Sequence, residues 1–168
     1  QNQFLREYMY SLDDFDKYSC LKPPLSLYVF FLIGMKNIIL ILLPAITSIK
    51  TRSSNLDYFR ELVQPEMLIA DLLVLVVFLS LIFRKPGAKE IWQKVWRKGR
   101  FILIAAFSYQ LSIVLPYQLH KLAGPGRAWY HESDFIQLAI IAGYIVVLIG
   151  LIRSKRMKDT FADWPENA

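Results

Sequence analysis

Four apolar stretches, Leu25–Thr47, Glu66–Phe83, Phe101–Tyr117 and Phe135–Ile152, are each long enough to cross a lipid bilayer. At 1.5 Å rise per residue, about 18 to 23 residues span the roughly 30 Å hydrocarbon core. Lipid offers the backbone no hydrogen-bonding partner, so such segments must satisfy themselves as helices. A soluble bundle would scatter charge along one face of every helix. Here Ile38–Ile46 and Leu72–Phe83 carry none. The expected fold is therefore all-α: a polytopic membrane protein with a cytoplasmic arm (1–24), a four-helix transmembrane domain (25–152) and a cytoplasmic tail (153–168).

The net charge of +6 would suggest nucleic acid if it lay on one soluble face. Its distribution argues otherwise, and no nucleic-acid partner is expected. The arm, the loop 84–100 and the tail hold three, seven and four Lys or Arg, fourteen in all. The loops 48–65 and 118–134, on the other side of a four-span chain, hold three and two. By the positive-inside rule both termini face the cytoplasm. No removable signal peptide is read, and Gln1 in place of methionine is read as a trimmed start. Cys20 is the one cysteine, which excludes an internal disulfide and favours an inert thiol.

Local patterns place the shorter elements. Ser11 and Asp14 have N-cap and N3 spacing. Pro23 and Pro24 suit the first turn of a helix, and Pro44 is expected to kink or end the first span. Leu56, Phe59 and Val63 have helical spacing in the first outer loop. In the middle loop Ala88, Ile91, Trp92, Val95 and Trp96 form one apolar stripe, with Lys89, Lys94 and Lys98 on other faces. This predicts a short amphipathic helix in the headgroup plane, anchored by Trp92 and Trp96, with a bend at Gly99. Asp134 and Gln137 have capping-box spacing at the start of the fourth span.

The candidate chemistry is intramembrane. Lys36 sits at the midpoint of the first span, where a charge costs between ~3 and ~15 kcal/mol. It must face protein, water or a partner. Gln110 in the third span and Tyr144 in the fourth lie near its level, and Asn37 and Tyr109 add polar groups beside them. Asp71 is the one intramembrane acid, placed nearer the outer surface, and a direct bridge from it to Lys36 is not expected. Ala139 and Gly143, followed by Gly150, and Ser108 with Ser112, offer small residues for close helix contact. His120, His131, Glu132 and Asp134 share an outer loop but match no zinc spacing, so no metal and no cofactor are expected. No nucleophile elbow, phosphate loop, Cys-x-x-Cys or His-Glu-x-x-His is present, which argues against an enzyme.

The aspartate and aromatic arm (Asp13, Asp14, Phe15, Asp16, Tyr18), Leu21-Lys22-Pro23, the intramembrane Lys36 and the tail run Phe161-Ala162-Asp163-Trp164-Pro165 give the chain a family resemblance. It resembles the YfeZ-like family of small gamma-proteobacterial inner-membrane proteins, a domain of unknown function. That pattern prefers arginine followed shortly by an aromatic where this chain has Lys36-Asn37, which argues against a stacked guanidinium. The resemblance implies an integral inner-membrane protein and supplies no activity. The leading expectation is a non-enzymatic membrane component acting through a membrane protein partner or self-association. The alternative is a small transporter or channel subunit using Lys36 and the polar third span.

Overall fold

The computed structural model describes residues 10–47, 65–123 and 132–165. Helices α1 (Leu25–Gly34) and α2 (Lys36–Thr47) meet at Met35 with a bend of 67°. A 3₁₀ turn at Pro65–Met67 opens α3 (Leu68–Ile82). Then follow α4 (Glu90–Ala123), α5 (Glu132–Arg153) and the short α6 (Lys155–Ala162). The described residues hold no strand, only one isolated bridge between Phe15 and Leu21. Among the described residues three helices are long and apolar enough to cross a membrane, and the bent α1–α2 pair makes a fourth span if it is counted as one.

The packing is that of a bundle immersed in lipid. α4 is the central helix, touching α3, α5 and α6, while α1 packs on both α3 and α5. Leu27, Phe31, Val74, Val77, Leu103, Phe107 and Leu151 fill the interior. The outer faces are equally apolar, with Leu32, Leu72, Val146 and Ile149 exposed. Continuous apolar surface of this kind is stable in a bilayer and a liability in water.

Since apolar burial does not drive helices together in lipid, close backbone approach carries the packing. A Cβ at Gly34 would lie 2.9 Å from both Phe107 Cζ and Val74 Cγ1. At Gly150 it would lie 2.8 Å from Phe30 Cζ, and at Gly99 2.8 Å from Phe161 Cε1. Gly143 is different: its nearest neighbour would be Ile33 Cδ1 at 3.9 Å. Ser108 and Ser112 are exposed and mark no helix contact here.

One end of the bundle gathers three segments distant in sequence. The arm begins with the expected Ser11–Asp14 pairing, a 3₁₀ turn in which Ser11 N–H donates to Asp14 Oδ2 at 3.1 Å. Arg156 of α6 pairs with Asp14 at 2.7 Å, and Tyr10 Oη donates to Asp159 Oδ2 at 2.9 Å. Leu21 N–H donates to Asp163 Oδ2, and Arg84 Nη1, at the end of α3, donates to Leu21 O. Arg100 of α4 takes up two carbonyls at the end of α5, Leu151 O at 2.7 Å and Ile152 O at 2.9 Å. Arm, middle connection and tail therefore share one side.

Five expectations are corrected. Residues 90–100 are not a separate interfacial helix but the first turns of α4, which runs straight through Gly99. Gly99 is there to admit the Phe161 ring rather than to bend the chain. Trp96 is fully buried and so is no headgroup anchor; its Nε1 donates to Thr160 O and Asp163 O, and its ring packs on Phe161 at 4.6 Å. Trp92 stacks on Phe83 at 4.8 Å and is only half-buried. Pro44 does not end the first span, whose break falls at Met35 instead. Asp134 is not an N-cap, because α5 already begins at Glu132. Gln137 bonds Gln118 of α4 across the helix pair. The expected helix around Leu56, Phe59 and Val63 lies outside the described residues.

Candidate functional site

A helix broken inside a membrane frees donors at the start of its second half and acceptors at the end of its first. Lipid cannot satisfy them, so the protein must. Met35 leaves helical geometry (φ −101°, ψ 19°) while its N–H still bonds Phe31 O and its carbonyl opens α2 by accepting from Ile39 N–H. The N–H groups of Asn37 and Ile38 are then in the positions that an N-cap side chain ordinarily serves. Met35 has no such oxygen.

Asp71 supplies it from α3. Its Oδ2 accepts from Asn37 N–H at 2.9 Å and from Ile38 N–H at 3.2 Å. Its Oδ1 accepts from Asn37 Nδ2 at 3.3 Å and from Gln110 Nε2 at 2.7 Å. The same Gln110 Nε2 donates to Gly34 O at 3.0 Å, satisfying a carbonyl at the end of α1. Asp71, Asn37 and Gln110 are all fully buried. The positive end of α2 and four hydrogen bonds hold the carboxylate's charge. Gln110 Oε1 and Tyr144 Oη, both buried, have no partner among the described residues.

Lys36 reaches this centre indirectly. Its Nζ donates to Asn37 Oδ1 at 3.1 Å, and Asn37 links it to Asp71. The two charges thus share one amide rather than a direct bridge, although Asp71 lies nearer to Lys36 than the depth argument placed it. The expected pairing of Gln110 with Lys36 is replaced by Gln110 with Asp71. Tyr144 packs edge-on against Phe107 at 5.8 Å. Tyr109 lies outside the centre, exposed, its hydroxyl 3.4 Å from Glu66 O. No group of His, Cys, Asp and Glu able to hold a metal occurs among the described residues, and His131 is not among them.

The second feature is a groove of about 580 Å³ between the broken span and α5. Leu32, Ile33, Ile39 and Leu40 form one wall, Ile136, Ala139, Ile140 and Gly143 the other, and Lys36 is the one charged residue lining it. The bend creates this space. α1 packs on both α3 and α5, whereas α2, turned by 67°, keeps its packing with α3. Its volume lies in the range of small-ligand pockets.

At the opposite end of α3, Cys20 is buried beside Arg84 and Asp163. Burial pushes its thiol up to about 11; the Asp163 carboxylate adds to the rise and Arg84 opposes it. A thiol so held is inert at neutral pH.

A family model described as a protein of unknown function, DUF2919, matches residues 10–163. The chain belongs to that family. The DUF2919 match takes in the arm, every described helix and the tail up to Asp163, and so covers the polar centre and the basic end together. No curated protein and no solved structure matches the chain. DUF2919 membership and the apolar spans describe a multi-span membrane protein; they carry no activity.

Proposed function

We propose that this chain is a non-enzymatic component of the bacterial inner membrane, with both termini cytoplasmic, that acts by binding a partner within the bilayer. The YfeZ-like assignment is part of the same reading. The observation that carries it is a contrast between two sets of polar groups. The Asp71 carboxylate is consumed by four hydrogen bonds, two to backbone donors freed by the broken helix and two to the amides of Asn37 and Gln110. Lys36, by contrast, lines an open apolar groove. The acid is thus occupied in holding the fold, while Lys36, half-buried and bonded to the Asn37 amide, still faces the groove and is left for recognition. The fourteen-to-five basic imbalance supports the orientation.

A transporter subunit is the second reading, favoured by the half-helix that starts at a buried carboxylate and by the spare capacity of Gln110 Oε1 and Tyr144 Oη. Purified protein in sealed vesicles separates the two. Proton and monovalent-ion flux equal to that of empty vesicles is expected. Flux that Asp71→Asn abolishes, in a variant that still folds, would overturn partner binding in favour of transport.

A further inference from the structure

The groove beside Lys36 has a chemistry that specifies its occupant, and this inference rests on the partner-binding reading above. Lys36 opens α2, at the positive end of that half-helix, where a cation is disfavoured. Its hydrogen-bond acceptor is the neutral amide oxygen of Asn37, and no carboxylate lies within ion-pair distance among the described residues. Every other lining residue is aliphatic or glycine. An ammonium in such surroundings is stabilised by a carboxylate brought to the same depth.

Depth decides what kind of molecule carries that acid. Lys36 lies eleven residues past the start of α1 at Leu25, about 16 Å along the helix. Asp71, joined to Asn37, lies six residues past Pro65, about 9 Å from that end. A lipid headgroup would have to sink that far from the interface to meet the ammonium. A second copy of this chain has no acid to offer at this depth, because Glu66 lies at the very edge of its span and Asp71, the one carboxylate in a span's interior, is fully buried. Two copies meeting groove to groove would also set Lys36 against Lys36.

The opposite wall fits a helix. Gly34, Gly99 and Gly150 are each filled by a neighbouring side chain, but Gly143 is not. Gly143 and Ala139, four residues apart and both lining the groove, permit close approach of another backbone. We propose that the groove receives a transmembrane helix of another protein carrying an Asp or Glu near its midpoint, which pairs with Lys36 while the helix packs against Ala139 and Gly143.

The test uses the full chain in phosphatidylcholine vesicles with fluorescently labelled leucine-rich host helices of about 20 residues. One host carries a central Glu, one a central Gln and one neither, and association is read by energy transfer. The Glu helix should associate about tenfold more tightly than the all-leucine one, the scale of an interhelical polar bond. Lys36→Met should remove that advantage, Lys36→Arg should keep it, and Gly143→Leu should block the Glu helix by filling the contact. Equal association of all three helices, blocked by Gly143→Leu, would overturn the carboxylate while leaving partner binding intact. Association that Lys36→Met leaves unchanged, or none at all, would overturn the proposal. So would loss of the Glu helix when phosphatidylglycerol replaces part of the phosphatidylcholine, since the occupant would then be lipid. The flux measurement above decides the partner reading independently.

Discussion

Asp71 caps a helix to which it does not belong: its carboxylate oxygen lies 2.9 Å from the backbone nitrogen of Asn37, thirty-four residues away in sequence. An N-cap is ordinarily a local device, one side chain serving its own chain two or three residues on. Here the cap comes from the neighbouring span, and the break in the first span and the placement of the second are one structural fact.

Removing that cap should cost more than an ordinary cap does. Asp71→Ala strands two backbone donors and the Gln110 amide in a dry interior, so a loss of about 3 kcal/mol is expected. Asp71→Asn keeps a carbonyl oxygen and should lose clearly less. Unfolding in mixed detergent micelles measures both, and an Asp71→Ala variant as stable as the parent would refute the cap.

The glycines divide into filled and open positions. Gly34→Ala drives a methyl against Phe107 and Val74 and should destabilise by about 1–3 kcal/mol. Gly143→Ala meets no atom closer than 3.9 Å and should be neutral or slightly stabilising, since alanine favours a helix more than glycine does. The same unfolding assay ranks the pair; the reverse order would contradict the packing.

Trp96 fastens the tail. Trp96→Phe keeps the ring against Phe161 but removes the donor to Thr160 O and Asp163 O, at about 1 kcal/mol. Limited trypsin digestion should then cut faster after Arg156 and Lys158. In a protein retaining Trp96 alone, neither headgroup-labelled lipid nor soluble quenchers should reach the indole.

Cys20 makes a pH prediction with a definite sign. Its thiol ionises near 11 in the folded protein against 9.0 for an ordinary thiol. The folded state therefore holds its proton through a range in which the unfolded chain has released it, and this contribution to stability, present below pH 9, is lost as pH rises from about 9 to 11. Alkylation of the native protein at pH 8 should be slow and should accelerate towards pH 11. Rapid labelling at pH 8 would show that the arm is not docked.

The arm, the connection between α3 and α4 and the tail should report the same compartment. Single cysteines at Gly87 and Lys158, in a Cys20→Ser background, should label from one side of sealed vesicles and a cysteine at Arg127 from the other. Gly87 and Arg127 labelling from the same side would break the span count.

Much of this was legible because lipid imposes so few solutions. Length and apolarity alone locate α3, the buried part of α4 and α5, and the basic imbalance already groups the three segments that the structure finds at one end. The break at Met35 was not legible. Pro44 carried the obvious signal, whereas Gly34 and a carboxylate on another helix did the work, and a cap supplied across thirty-four residues leaves no local spacing. Trp92 and Trp96 were misplaced for a different reason. A stripe at helical period says that one face is apolar; whether lipid or Phe161 covers it depends on where α6 docks. Depth-matching set Gln110 and Tyr144 level with Lys36 but left Asp71 nearer the outer surface, whereas Asp71 is the residue that joins Asn37 to Gln110.

The 34 residues of α4 form a rod of about 51 Å, well beyond the thickness of the hydrocarbon core. It is pinned at two heights, by Gln110 to Gly34 of α1 and Asp71 of α3 and, about 21 Å along the same helix, by Trp96 to the tail. With no hinge at Gly99, the two pins turn together. A tilt of the helix at the polar centre is carried to the docked tail at the basic end, so α4 is a lever, and the tail is its pointer.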